Sequence, residues 1–251
     1  MTLRSLPNIG EISHGDNVGE ILGRSLRRME IAMTSRHVIV VAQKIVSKAE
    51  GQLVFLDEIQ PSSRARELAA VTGKDAAFVE MVLRESVAVL RALPNVLIVR
   101  HRLGYVVANA GIDQSNVSGG GGRPACLLLP RDPAASAAAI RAELRTHVGC
   151  SPAVIISDSF GRPWRRGVVN VALGSAGLNS LVNLRGRTDR NGRPLYVTEV
   201  ALADALAAAA GIVMGESDEG TPAVLIAGAD WPQPDIEAAA LIRPLDEDLF
   251  Q

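Results

Sequence analysis

The sequence predicts an α+β protein in which mixed sheets are flanked by helices. Short apolar runs typical of buried strands and periodic or Ala-rich runs typical of helices both occur along the 251 residues, but they do not alternate strictly. A regular doubly wound sheet requires that alternation and is therefore not favoured. The chain also has neither a GxxxxGK[ST] phosphate loop nor a GxGxxG fingerprint, which argues against P-loop and Rossmann folds. Because no repeat or linker divides the chain, we expect a single domain over residues 1–251.

Composition and charge restrict the class of protein. Hydrophobic residues make up 47% and charged residues 21%, and 26 Lys plus Arg against 27 Asp plus Glu give a net charge of −1. A near-neutral chain is not expected to bind nucleic acid. The two cysteines and four histidines have no zinc-site spacing. Without a long apolar run or a signal pattern, we expect no membrane partner and a cytoplasmic location.

The first half of the chain is predicted as follows. Residues 1–10 are rich in turn formers and are not expected to form a helix. Asp16 is expected to cap a helix whose apolar residues recur at helical spacing as far as Met33. The remaining segments are strands over 37–42 and 96–99 and helices over 62–72 and 75–93.

The second half is predicted to be richer in strands. Asp132 and Pro133 mark the start of an Ala-rich helix that runs to Val148, before Gly149. Two further helices are predicted over 198–210 and 235–242. Strands are expected over 126–129, 153–156, 168–173, 181–184 and 223–227.

Two aspartates follow apolar runs and are the first candidate site residues. Asp113 follows the run that starts at Val106, and Asp158 follows the run that starts at Ala153. Because a carboxylate at the end of a strand is held by the sheet but faces a loop, we expect the two to lie together and to bind a ligand or metal ion. Both could instead be simple turn formers. Nearby arginines suit a small anionic ligand, although those between 185 and 193 are equally compatible with a solvated surface.

The strand over 37–42 delivers Gln43, Lys44, Ser47 and Lys48. Of these, Lys48 is the preferred phosphate-binding residue, and the alternative is that it is a surface lysine. Carboxylates, hydroxyls and amides form an oxygen-rich set that suits Mg²⁺ or Mn²⁺ and indicates metal-dependent phosphoryl chemistry. The glycines at 119–122 beside this site are interpreted as a lid or as a mobile loop.

Several motifs together resemble the coenzyme F420-0:γ-glutamyl ligase family. They occur in the order of that family over nearly the whole chain, and any one of them alone would be weak. The motifs are Gly111–Val117, Val46–Gly51, Leu83–Ser86, Asp158–Arg165 and the segment from Ala209 through Gly215 to Pro222.

The resemblance implies a GTP-dependent amide ligase. Such an enzyme joins the amino group of L-glutamate to the lactyl carboxylate of F420-0 through an acyl phosphate, and then extends a γ-linked tail. It also implies Mg²⁺ or Mn²⁺ as two divalent ions, K⁺ as a further candidate cation, and a homodimer. We expect the stand-alone form of the family, without the C-terminal reductase-like domain that some relatives carry.

The resemblance also implies the roles of individual residues. The metal ions would be held by Asp113, Asp158 and Ser159, and Lys48 would act beside them in catalysis. GTP would be contacted by Lys48, Gln43 and Asn116. Two segments are expected around the nucleotide: Leu6, Pro7, Asn8 and Ile9, and Met214, Gly215, Glu216, Ser217, Asp218, Glu219, Gly220 and Thr221.

The chain departs from the family pattern at three positions. Ser159 replaces a common Thr and keeps the oxygen ligand, whereas Gln43 replaces a Ser found in some relatives. Glu216 stands where Gln is expected, and we predict that its added negative charge makes it a metal ligand; the alternative is that it faces solvent.

Two alternatives to a ligase remain open. The first is a metal-dependent nucleotide hydrolase, in which water replaces glutamate. The second is a non-catalytic protein that binds nucleotide or deazaflavin, although the presence of Asp113, Asp158 and Lys48 speaks against it.

Overall fold

The computed structural model describes residues 1–115, 117 and 122–248. The strands in this part of the chain are β1 (Thr2–Ser5), β2 (Val38–Ala42), β3 (Leu53–Phe55), β4 (Ser86–Leu93), β5 (Val96–His101), β6 (Val106–Ala108), β7 (Ala125–Leu127), β8 (Ala153–Arg162), β9 (Arg165–Ala176), β10 (Leu181–Asn183), β11 (Glu199–Ala201) and β12 (Ala223–Ala227). The α-helices are α1 (Val18–Arg28), α2 (Gln43–Ala49), α3 (Ser63–Thr72), α4 (Ala76–Arg84), α5 (Pro133–Val148) and α6 (Leu202–Met214).

A five-stranded sheet in the order β1-β12-β2-β8-β9 forms the centre of the fold. Only β2 and β8 are parallel to each other within it, and their register runs from Val38 opposite Ala153 to Ala42 opposite Ser157. The other neighbouring pairs are antiparallel. Because β2 and β8 run in the same direction, the residues that follow Ala42 and Ser157 emerge at the same edge of the sheet.

Both faces of this sheet are covered by helices. Ile39 and Val41 pack in one apolar core with α1 and α5, and Val38 and Val40 pack in another with α6. All four side chains are fully buried. Burial on both faces explains why β2 is a continuous apolar run in the sequence and not an alternating one.

A third apolar core lies outside the central sheet. It is formed by α3 and α4 together with the antiparallel pair β3-β7 and the antiparallel sheet β4-β5-β6. Phe78 and Val82 of α4 and Leu97 and Val99 of β5 are buried together in this core. The parallel and antiparallel pairs with packed helices confirm the predicted α+β class with mixed sheets.

Helix boundaries with clear capping residues agree with the prediction. The side chain of Asp132 accepts a hydrogen bond from the backbone of Ala135, Pro133 lies in the first turn, and Gly149 ends α5 in the left-handed conformation. Ser62 and Gly73 bound α3 in the same manner. These residues satisfy backbone groups locally, so their effect could be predicted without the rest of the fold.

The predicted helix over 75–93 is wrong in its second half. Helix α4 ends at Arg84, and residues 86–93 form β4, paired with β5. Val87 and Leu90 are exposed and not buried. Two register shifts interrupt the usual alternation of β4, so that its half-buried positions, Ser86, Val89 and Ala92, recur every third residue, a period close to that of a helix.

Other predicted boundaries also need correction. The first residues form β1, which pairs with β12, and α1 begins after Asn17 and ends at Arg28. The predicted helix over 198–210 is strand β11 followed by α6, which continues through Gly211 to Met214. In the predicted terminal helix only Ala238–Leu241 is helical, as a 3₁₀ turn. None of the helices in the described segments is long and apolar enough to cross a membrane.

Candidate active site

A cavity of about 480 Å³ lies at the sheet edge where β2 ends beside β8. It brings together most of the residues that the sequence singled out. The predicted residues that line it are Gln43, Lys48, Asp113, Asp158, Ser159, Met214, Gly215, Glu216, Ser217, Asp218, Glu219, Gly220 and Thr221. It is also lined by Lys44, Ser115, Ser157 and Asn170.

The sequence predicted that Asp158 lies at the end of a strand, but the structure places it inside β8. Strand β8 continues to Arg162 because it forms a long hairpin with β9, in which Asp158 is opposite Val171. The parallel neighbour β2 stops at the level of Ser157. From Asp158 onward this edge of β8 therefore has no β2 partner, and the carboxylate reaches the cavity from there.

Asp113 reaches the same cavity from the third core. Asn109, Ala110 and Gly111 all have positive φ, between 52° and 66°, and turn the chain sharply after β6. The backbone of Asp113 then bonds to Leu127, donating at 3.0 Å and accepting at 2.8 Å. Its Oδ1 accepts bonds from the backbone N–H and the hydroxyl of Ser115 at 2.8 and 2.7 Å.

Lys44 contacts Asp113 and acts electrostatically on Asp158. Its ammonium contacts Oδ2 of Asp113 and donates to the carbonyl of Ser115 at 3.0 Å. It is the second residue of α2, which follows β2 without a break. The sequence analysis named Lys44 but preferred Lys48, whose ammonium instead contacts Glu11 Oε2 at 3.1 Å.

The carboxylate of Glu216 belongs to this site. Its Oε2 accepts a bond from the hydroxyl of Ser159, and its Oε1 accepts one from the amide of Asn170, both at 2.8 Å. Gly215, with φ of +73°, turns the chain here at the end of α6. No local sequence pattern distinguishes Asn170, because it lies on β9 and contacts Glu216 only through the tertiary fold.

The electrostatics of the two aspartates differ. Burial raises the pKa of Asp158 to about 7, and the negative charges of Asp113 and Glu216 add to this, while the Ser159 backbone N–H and Lys44 oppose it. Burial is also the largest influence on Asp113 and acts to raise its pKa. The hydrogen bonds from Lys44 and Ser115 nevertheless hold that pKa below its usual value.

The donor chemistry fits a hard divalent cation. Within residues 1–115, 117 and 122–248, no three His, Cys, Asp or Glu side chains form a ready-made metal-binding group. The carboxylates of Asp113, Asp158 and Glu216 nevertheless share one cavity with Lys44 and Lys48 as the lysines of its lining. Mg²⁺ and Mn²⁺ commonly bind a few carboxylates and complete their shell with water and substrate phosphates.

The segment Leu6, Pro7, Asn8 and Ile9 does not line the cavity in the described structure. The side chains of Leu6 and Ile9 are buried in the core with α1, and the carbonyl of Pro7 accepts a bond from Ser25 at 2.6 Å. The lining begins at Gly10. Contact of this segment with nucleotide therefore stays a prediction.

Two other predicted nucleotide contacts also stay predictions. Gln43 lines the cavity, but its side chain is buried and its Oε1 accepts a bond from Ser47 at 2.9 Å. Asn116 lies outside the residues that the structure describes, as do Gly119–Gly121 of the glycine loop.

Comparisons with known proteins identify the family that this chain matches. The family model described as F420-0:Gamma-glutamyl ligase matches residues 8–228. A coenzyme F420:L-glutamate ligase of Methanothermobacter thermautotrophicus is 43% identical over 251 residues, covering 99% of this chain and 97% of the relative. Proteins with the same name from Methanopyrus kandleri and Haloarcula marismortui are 42% and 40% identical, covering 100% and 92% of this chain and 98% and 88% of their own length.

Proposed function

The chain belongs to the F420-0:γ-glutamyl ligase family, and we propose that it joins L-glutamate to coenzyme F420-0 in a GTP-dependent reaction. The observation that carries the proposal is the meeting of Asp113 and Asp158 in one cavity beside two lysines. That arrangement suits the transfer of a phosphoryl group, because catalysis of such a transfer depends on positioning and charge stabilisation.

The chemistry requires activation of a carboxylate, which is a poor electrophile. The γ-phosphoryl group of GTP passes to an oxygen of the lactyl carboxylate of F420-0, and this gives an acyl phosphate and GDP. The amino group of glutamate then attacks the acyl carbon, the new C–N bond forms, and inorganic phosphate leaves. The same two steps on the γ-carboxylate of the attached glutamate would extend the tail.

The residues of the cavity have separate tasks in this scheme. Asp113, Asp158 and the hydroxyl of Ser159 would hold Mg²⁺ or Mn²⁺, with Glu216 as a further ligand. A divalent ion bound there would neutralise charge on the phosphate oxygens. The lysine ammonium groups would bind those oxygens directly, and the loop from Met214 to Thr221 would lie along the nucleotide.

A second cavity of about 710 Å³ provides room for the other substrates. It adjoins the first, with which it shares Glu11, Ile12 and Lys48, and its lining also includes Ser13 and His14. GTP and the acceptor acid must meet at the transferred phosphoryl group, and glutamate must then reach the acyl carbon of the acyl phosphate. Two adjoining cavities give room for all three substrates. We therefore expect the acceptor acid and glutamate to approach from the side of Lys48.

Product analysis tests the proposed function. The purified protein is incubated with GTP, L-glutamate, F420-0 and Mg²⁺ or Mn²⁺, and the deazaflavin products and GDP are followed by liquid chromatography with mass spectrometry. Glutamylated deazaflavin formed together with GDP is the expected result. GDP without glutamylation would indicate a nucleotide hydrolase, and unchanged GTP would indicate a binding protein. Replacement of GTP by ATP tests the nucleotide preference.

The family resemblance also leads us to propose a homodimer. The β4-β5-β6 sheet has exposed apolar residues that a second copy would cover, namely Val87, Leu90, Leu93 and Val106. Light scattering at micromolar concentration is expected to give twice the mass of one chain, and a monomer would refute the proposal.

A further inference from the structure

The position of Lys44 suggests a role that the family resemblance did not assign. Its ammonium bonds to Oδ2 of Asp113 and to the carbonyl of Ser115, and both partners belong to the acidic site. The side chains of Lys44 and Asp113 are only 25% and 24% exposed. The contact is therefore partly shielded from water, and a charge pair in such a place is stronger than one on the surface.

The two oxygens of Asp113 are used differently. Oδ1 accepts two bonds from Ser115, which fixes the carboxylate in place. Oδ2 is the oxygen bound to Lys44. A metal ion that uses Asp113 with the Ser115 bonds intact would therefore bind at Oδ2, where the ammonium now lies. Two cations cannot both contact this oxygen without strong repulsion.

We propose that the Lys44 ammonium is the resident counter-ion of the acidic site, and that a divalent ion displaces it towards the phosphates of the nucleotide. Lys44 has a flexible four-carbon stem and three donors, so it can leave Oδ2 without moving α2. In the metal-free protein it limits repulsion among Asp113, Asp158 and Glu216. After displacement it supplies a positive charge to the group being transferred. The inference rests on the proposed metal dependence of the family reaction.

Lys48 provides a matched comparison within the same cavity. It is one helical turn after Lys44 on α2, and its side chain is similarly accessible at 23%. Its partner is Glu11, a side chain that is 92% exposed and is not among the carboxylates around Asp158. Removal of either lysine lowers the net charge equally, but only Lys44 competes for Asp113.

Metal binding without nucleotide tests the proposal. Mn²⁺ is titrated into metal-stripped wild type, Lys44→Met, Lys48→Met and Asp113→Asn, and free Mn²⁺ is measured by electron paramagnetic resonance. We expect Lys44→Met to bind Mn²⁺ about tenfold more tightly than wild type, because the competing charge is gone. Lys48→Met should bind almost as wild type does, and Asp113→Asn should bind more weakly.

A second titration tests the displacement towards phosphate. A non-hydrolysable GTP analogue should strengthen Mn²⁺ binding more in wild type than in Lys44→Met, because only the wild type gains the contact of the released ammonium with phosphate. Lys44→Gln, with thermal unfolding followed by circular dichroism in EDTA, provides a second variant and a check that each protein is folded.

The proposal is overturned if Lys44→Met and Lys44→Gln are folded but bind Mn²⁺ no more tightly than wild type does. Absence of Mn²⁺ binding in all of these proteins would overturn it as well. Failure of the ligase function would be seen in the product analysis, which is independent of these titrations.

Discussion

Replacement of Glu216 by glutamine changes one charge in the acidic site and few contacts. Asn170 can still donate to Oε1, and the hydroxyl of Ser159 can turn to accept from the new amide. The fold is therefore expected to persist. What is lost is a negative charge beside the presumed metal ion, so we expect Glu216→Gln to remain active but to need more metal.

The size of this effect follows from the exposure of Glu216, which calls for a dielectric close to that of water. At a separation of about 5 Å, one charge acting on a divalent ion is then worth about 1.5–2 kcal/mol. The metal concentration for half-maximal rate should rise roughly tenfold to thirtyfold. The charge of Glu216 also helps to raise the pKa of Asp158 to about 7. The comparison should therefore be made near pH ~8, where Asp158 is mostly ionised in both proteins.

The assay is turnover against Mg²⁺ or Mn²⁺ for wild type, Glu216→Gln and Glu219→Gln. Glu219 lines the same cavity, but its carboxylate accepts a bond from the backbone of Ser217 at 2.9 Å and is not among the charges that act on Asp158. The metal concentration for half-maximal rate in Glu219→Gln should therefore resemble that of wild type, whatever the change in nucleotide contact. Superimposable metal curves for Glu216→Gln and wild type would refute the reasoning and would mean that Glu216 is no ligand.

Three further predictions concern single residues. Asp113→Asn should remove most turnover at saturating Mg²⁺ while thermal unfolding remains cooperative, because the backbone bonds to Leu127 stay; full activity would contradict its metal role. Gly211→Ala should destabilise the protein by about 1–3 kcal/mol in urea unfolding, since a Cβ there would lie 2.5 Å from Asn170 Nδ2. A gain in stability, which is usual for this change in a helix, would contradict this close approach. The pKa of Glu85 is lowered by the His101 imidazole, 3.4 Å from its Oε2, and by a hydrogen bond from Arg102. Its contribution to stability is therefore present above the unfolded pKa of about 4.5 and is lost as pH falls through the folded value. Urea titrations from pH ~7 to ~3 should show a smaller acid loss in Glu85→Gln, and equal losses would exclude this source.

The sequence by itself determined the helices and strands that depend on residues close to them in the chain. Helices α3 and α5 begin and end at capping residues that satisfy their own backbone groups. Strand β2 is evident because burial on both faces requires a continuous apolar run. The family motifs identified the two aspartates and the loop from Met214 to Thr221, which the structure places in one cavity.

Tertiary structure decided the features that depend on distant partners. Strand β4 needs β5 to satisfy its backbone, and its register shifts replace the usual alternation with half-buried positions at every third residue. Asp158 reaches the cavity because β2 ends while β8 continues. Lys44, and not Lys48, contacts Asp113 because the bridge to Leu127 and the turn at Asn109–Gly111 bring that carboxylate to the start of α2. Sequence spacing carries no information about a contact between residues 69 positions apart, since only the packing of the third core against the central sheet creates it.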